Sequence, residues 1–237
     1  MEMFFLTLRE REKLQQIKNH SNSNLLLLCG PPSSGKTSLL FQFAFNVATL
    51  HSNSTVIFIC NPHSFHSKPP FLSQGIDPSS HLFHRIQIKY LNDDQDIRNY
   101  FSAFHLHHTL PAAVLIDDFG LFFHNNNGGG GGRDLAMAKT LALCHNAITY
   151  ANQKGCCKLL LSDTHTHQGD IPRFNFIYKK WIHTTFTIQE GDVPGSFILK
   201  DRSYSSTDNT AGSIKAANYS IALQYLVFHG IIDDQVE

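Results

Sequence analysis

Apolar residues fall along this chain in short continuous blocks, separated by stretches in which they recur at helical spacing. Leu25 to Cys29 form the first block, the pattern of a central parallel strand covered on both faces. Ser38 to Leu50 place apolar residues at nearly every helical position, which predicts a deeply buried helix. Thr55 to Cys60 predict a second strand, and the alternation of Arg85 to Leu91 a third. Asn92, Asp93 and Asp94 supply a cap and first-turn acids for a helix through about His108. A fourth strand spans Ala112 to Asp117, a helix runs from about Arg133 to Lys154, and Lys158 to Ser162 make a fifth strand. Strands alternating with helices in this order imply an α/β fold with a mostly parallel, doubly wound sheet.

The texture changes at the two ends. Ile182 to Gln189 and Ser196 to Lys200 alternate around a turn at Gly191 to Gly195, which predicts a C-terminal antiparallel hairpin extending the sheet. Ala222 to His229 with Ile231 and Ile232 predict a last strand pair folded around Gly230. Ser203 to Gly212 read as a polar loop, and the low-complexity run Asn125 to Gly132 as a flexible loop tip. Residues 9 to 20 predict a charged helix that Ser21 to Asn24 break, so residues 1–22 form a helical appendage and 23–237 one domain.

Composition narrows the function classes. Hydrophobic residues make up 42% and charged residues 16%, as in a packed globular chain. The formal net charge is zero, so any contact with nucleic acid is local and not a consequence of overall charge. The five cysteines are an odd number without a CxxC pair, which suits reduced core thiols. The fifteen histidines lack a convergent Cys or carboxylate partner and are expected at the surface. No apolar run reaches membrane-spanning length, and Met1 to Leu8 lack the features of a secretory signal; the expectation is a soluble intracellular protein.

The chemistry lies at Gly30, Pro31, Pro32, Ser33, Ser34, Gly35, Lys36 and Thr37, which match GxxxxGK[ST] between an apolar strand and a helix. Glycines let backbone N–H groups curl around phosphates, and the helix N-terminus adds its positive dipole end. Lys36 then faces the β and γ phosphates of ATP, Thr37 ligates Mg2+, and Ser38 continues the cofactor-binding set. Asp117 ends an apolar strand, the position of the carboxylate that holds Mg2+ in such sites. Asp118 follows it, and suits either a loop carboxylate or a group that positions the attacking water. Asp117 to Gly120 also fit the DxxG of GTPases, but Ser162 to His165 lack the guanine-reading motif, and Arg133 alone does not make a kinase lid.

The stretch from Gly30 to Ala48 resembles the Walker A strand, loop and helix of the RecA recombinase family, and LIDD (115 to 118), LLLSD (159 to 163) and WIHTTFTI (181 to 188) follow in the order of that core. Within the family, residues 58 to 91 look most like the divergent paralogue that acts as ATPase partner of the SWIM-type zinc-finger protein in the Shu complex. The resemblance covers roughly residues 23 to 200. It implies a RecA-like fold, ATP binding, single-stranded DNA contact, assembly with the SWIM-type protein, and support of a RecA-family recombinase in the nucleus. Read from the residues themselves, ATP and Mg2+ are the cofactors and Lys36 and Asp118 the catalytic candidates.

This sequence departs from that family where hydrolysis is concerned. The family's water-activating carboxylate stands just after the second strand, where this chain has Cys60, Asn61, Pro62 and His63. The γ-phosphate-sensing glutamine follows the fifth strand, where Asp163 and Thr164 stand here, with Gln168 further on. Slow hydrolysis is the expectation. The family's DNA-binding loops correspond to Phe119 to Arg133 and Thr164 to Lys180. In the second, Arg173, Lys179 and Lys180 interleave with Phe174, Phe176, Tyr178 and Trp181, which suits either stacked bases or a covered sheet edge. Phe41 to Ala44 and Phe45 to Ala48 fit an FxxA docking pattern, but at core spacing on a helix they are expected to pack inside.

Overall fold

The computed structural model describes residues 1–5, 23–51, 54–124, 129–165, 174–202 and 214–234. The apolar blocks form the strands β1 (Leu25–Gly30), β2 (Val56–Cys60), β4 (Ile86–Tyr90), β5 (Ala113–Ile116) and β6 (Lys158–Thr164), with the two-residue β3 (Leu72–Ser73) between β2 and β4. β7 (Thr184–Glu190), β8 (Ser196–Asp201), β9 (Ile214–Ala222) and β10 (Tyr225–Asp234) complete one sheet of order β3-β10-β9-β8-β7-β1-β6-β5-β2-β4. From β7 to β4 every pairing is parallel, whereas β7 through β10 run antiparallel to one another. β7 therefore belongs to both halves: it is parallel to β1 on one side and starts the antiparallel extension on the other.

Both faces of the central strands are covered, which is why their apolar runs are continuous. On one face lies α1 (Lys36–Leu50), whose Leu39, Leu40, Phe43, Ala44, Val47 and Ala48 meet Leu26, Leu28, Phe58, Leu115 and Phe186. Ala44, Phe45 and Ala48 are buried there and Phe41 stacks on Phe83, so both FxxA patterns serve packing. The short α2 (Pro62–Ser67) follows β2. On the other face lie α3 (Asp94–Ser102), α4 (Gly129–Lys154) and α5 (Asn175–Tyr178), over Leu27, Ile59, Val114 and Leu161. Four cysteines are buried and Cys156 is exposed, all of them free thiols.

Several expectations are corrected. The helix after Asp93 is capped as foreseen, with the Asp93 side chain accepting from the Asp96 N–H at 2.9 Å, but it stops at Ser102. The chain then tightens into a 3-10 turn, Phe104–Leu106, which turns Phe104 into the core beside Phe101. Gly129 to Gly132 are the first turn of α4 and not loop. Arg133 holds that end by donating to the Gly120 carbonyl at 2.9 Å and lying 4.7 Å over the Phe174 ring. The last strand pair does not fold around Gly230. The turn is Leu223–Gln224, both at positive φ, and Gly230 marks a register shift inside β10. A Leu-Gln turn carries none of the Asn or Gly that advertises one. Residues 6–22, and with them the charged helix at 9 to 20, lie outside the described residues, as does the polar loop at 203 to 212.

Met1–Phe5 are packed against the domain. Phe4 lies 5.5 Å from the Phe43 ring and 5.1 Å from Phe186, and Asn46 donates to the Met3 carbonyl at 2.7 Å.

Candidate nucleotide site

The loop between β1 and α1 is shaped by its two outer glycines. Gly35 caps α1 at φ +80°, a conformation that side chains resist, and a Cβ there would meet Ile221 Cδ1 at 2.8 Å. A Cβ at Gly30 would meet Ile188 Cβ at 2.8 Å. Ser33 adds a second left-handed residue at φ 61°. Ser34 is fully buried, its hydroxyl donating to the Pro31 carbonyl at 2.9 Å. The result is a tight backbone coil at the N-terminus of a buried 15-residue helix, the geometry that binds phosphate through N–H groups and the helix dipole.

Lys36 is 6% exposed and reaches back over this coil, its ammonium donating to the carbonyls of Pro31 at 2.8 Å and Gly30 at 3.3 Å. Burial lowers its pKa, against which Asp118 and Asp117 act to hold the charge. A cation so placed is available to an anion in the coil by a short swing of a flexible side chain. Thr37 donates to Asp117 Oδ2 at 2.8 Å, so the two oxygens assigned to Mg2+ stand together.

Asp117 follows β5, fixed by its N–H on the Ile59 carbonyl at 2.9 Å, and Ser162 of β6 donates to its Oδ1 at 2.8 Å. Burial, then the neighbouring Asp118, raises Asp117 to about 6. A buried carboxylate with raised pKa beside a hydroxyl is a hard-oxygen pair that a divalent cation would stabilise. The residues present therefore fit a triphosphate with Mg2+: no side chain fits at Gly30 or Gly35, and Lys36, Thr37 and Asp117 converge beside the coil.

The positions tied to hydrolysis are occupied differently. Asn61 stands where β2 ends, and its side chain accepts from the His63 N–H at 3.0 Å to cap α2, with Pro62 in the first turn. Asp118 sits in a left-handed backbone conformation, φ 47° and ψ 58°, with its N–H on Ser162 Oγ at 2.8 Å and its carboxylate accepting from the Thr164 hydroxyl. Asp163 is 7% exposed. It accepts from the Tyr178 hydroxyl at 2.8 Å and the Thr164 N–H at 3.0 Å, and burial raises it to about 6.

Of the residues assigned to DNA, Arg173 lies outside the described residues. Lys179 and Lys180 are exposed at the end of α5. Phe174 and Tyr178 are buried, the second fully, so they cover the sheet and do not offer faces to bases. Phe176, 60% exposed, is the ring left at the surface of α5. In the first loop segment Phe119, Phe122 and Phe123 are likewise core residues.

The sequence reading missed four contributors. Ser162 joins Asp117 to Asp118 through one hydroxyl, and its signal was a polar residue inside an apolar strand. Thr164 engages Asp118. Tyr219 and Ile221 of β9 wall the outside of the coil, and their distance along the chain left no local sign.

A six-strand parallel sheet of order β7-β1-β6-β5-β2-β4, with the phosphate coil after β1 and an acidic strand end at β5, now stands beside solved structures. The crystal structure of the RadB recombinase superposes with a TM-score of 0.58 at 12% identity, covering 87% of this chain and 90% of that chain. The fold is RecA-like. No family model matches the sequence, and no curated protein matches it by sequence. Among the described residues, no helix is long and apolar enough to cross a membrane.

Proposed function

We propose that this chain is a RecA-family ATP-binding mediator of homologous recombination and DNA repair that hydrolyses ATP slowly. The observation that carries the reading is the coil Gly30–Thr37, closed against side chains at Gly30 and Gly35, with Lys36, Thr37 and Asp117 converging on it. Backbone N–H groups and Lys36 would hold the phosphates, and Thr37 and Asp117 the cation. Bound Mg2+ supplies positive charge that neutralises the phosphate oxygens. Ser162 keeps Asp117 oriented toward that position. The resemblance of residues 30 to 48 and 58 to 91, together with the fold shared with the RadB recombinase, supports the biological assignment: a nuclear partner of a SWIM-type zinc-finger protein that contacts single-stranded DNA and sustains recombinase filaments.

A second reading is favoured by the occupied hydrolytic positions. With Asn61 spent on a cap and Asp163 on Tyr178, the chain would act as a nucleotide-bound scaffold that does not turn over. Multiple-turnover phosphate release with and without single-stranded DNA decides between them. DNA-stimulated turnover supports the mediator ATPase, whereas none at saturating ATP supports the scaffold. Purification of the native complex tests the SWIM partner, and its absence from that complex removes the subfamily assignment.

A further inference from the structure

Resting on the nucleotide-binding reading, we infer that Tyr219 is a positioning residue for the phosphate coil: its hydroxyl, donating to the Ser34 carbonyl, aims the Gly35 N–H at the bound phosphates. The contact is 2.7 Å long, fully buried, and joins residues 185 positions apart. A peptide unit is planar and trans, so the Ser34 carbonyl and the Gly35 N–H point in opposite directions. Tyr219 and Ile221 occupy the outer side of the coil, Ile221 Cδ1 at 2.8 Å and Tyr219 Cε2 at 3.9 Å from where a Gly35 Cβ would stand. Holding the carbonyl outward therefore holds the N–H inward, on the side that Lys36 spans with its bonds to Gly30 and Pro31. Gly35 has no Cβ to restrict its backbone, so without an external anchor the peptide plane before it can rotate.

Tyr219 is itself held. Its ring stacks on Phe197 with centroids 5.5 Å apart and lies 5.6 Å from Phe5, which in turn stacks on Phe228 at 4.6 Å. Asn46 of α1 fixes the Met3 carbonyl. Met1–Phe5, β8, β9 and β10 thus form a buttress behind the coil, and this gives the antiparallel extension a role in ligand geometry besides covering the sheet edge. A preorganised donor loses little on binding, so its removal is felt as affinity.

The test is calorimetric titration of the full chain with ATP and with inorganic tripolyphosphate, which reports affinity and stoichiometry separately. Tyr219→Phe keeps the ring and removes the donor. Both ligands are expected to bind about three- to ten-fold more weakly at unchanged stoichiometry, the worth of one such hydrogen bond. A merely structural tyrosine would lower the melting temperature or the bound fraction and leave both affinities as they were, and that result overturns the inference. Phe5→Leu loosens the ring's support while keeping an apolar side chain, and about a two-fold loss for both ligands is expected from a slackened bond. Should Tyr219→Phe not fold, unchanged affinities in Phe5→Leu overturn the inference instead. A wild-type chain that binds neither ligand overturns the nucleotide reading and this inference together, whereas one that binds both and is indifferent to Tyr219→Phe overturns this inference alone.

Discussion

The strand ends that the proposed function assigns to phosphate and metal and those it assigns to hydrolysis lie side by side in this sheet, yet they are built to different standards. At β1 and β5 the polar groups converge outward on the ligand position: Lys36 crosses the coil, Thr37 meets Asp117, and Ser162 steadies the carboxylate. At β2 and β6 the corresponding groups are turned inward. Asn61 caps its own helix, Asp163 holds Tyr178, and Thr164 engages Asp118. These side chains must break bonds to other parts of the fold before they can serve a substrate, whereas Lys36 is bonded only to carbonyls of the coil it would share with the ligand. Retained positioning with an impaired water-activating set is what a nucleotide-dependent binding switch needs, because slow turnover prolongs the bound state.

The binding end is broken most directly by Lys36→Ala. Losing the ammonium opposite the phosphates is expected to weaken ATP about 10²-fold, the upper range for a hydrogen bond to a charged group. The fold should survive, since the bonds lost are to carbonyls of the coil and a costly buried charge goes with them. Titration of the folded variant measures this, and undiminished affinity would remove the site assignment.

Asp163 sharpens the other side of the comparison through pH. Burial raises its folded pKa to about 6 from an ordinary 3.8, so between those values the folded chain binds a proton more tightly than the unfolded one. The contribution of this group to stability is therefore fullest below pH 4, declines as pH rises through 6, and is constant above. A rise of that size corresponds to about 3 kcal/mol. Asp163→Asn keeps an acceptor for the Tyr178 hydroxyl and abolishes the titration. Relative to wild type, its stability should improve between pH 4 and pH 7 by up to that amount, read from urea unfolding. Parallel pH profiles for the two proteins would show that Asp163 is not buried as described.

Local patterning carried the sheet's parallel half because strands covered on both faces write unbroken apolar runs, as in Leu25–Cys29 and Val56–Cys60. It also carried the phosphate coil, whose chemistry is contiguous in sequence. It failed at Leu223–Gln224 because that turn uses left-handed conformations without the usual residues, and at Gly129–Gly132 because tertiary anchoring by Arg133 overrides poor helix propensity. Ser162, Thr164 and Tyr219 were not legible as site residues for a different reason. Each acts through a contact 44 or more positions away, which only the sheet order brings about.

Asp118 is where the two regions meet, so Asp118→Asn tests whether any hydrolytic capacity remains. General-base catalysis is typically worth ~10²-fold to 10⁴-fold, and a carboxylate shared with Thr164 should fall below that, giving about a ten-fold loss in residual turnover with ATP affinity nearly unchanged. Single-turnover phosphate release measures it. A variant as fast as wild type assigns the residual rate to a partner or to water alone. Wild-type turnover near one per second, on the scale of ordinary phosphoryl-transfer enzymes, would erase the contrast between the two regions.

The smallest effect is expected at the end of α5, and it concerns whether the segment after β6 is open to nucleic acid. With Phe174 and Tyr178 buried and Phe176 the ring left exposed, contact there would rest mainly on charge, and single-stranded binding by charge is read from its salt dependence. Each phosphate neutralised contributes about 0.7 to the slope of log affinity against log salt for single strands. Replacing Lys179 and Lys180 together by Ala should flatten that slope by about 1.4 and weaken binding only a few-fold near physiological salt, with nucleotide affinity intact. Adding Arg173→Ala should flatten it by about 0.7 more. An unaltered slope in the triple variant would place the DNA contact elsewhere than the segment Thr164 to Lys180.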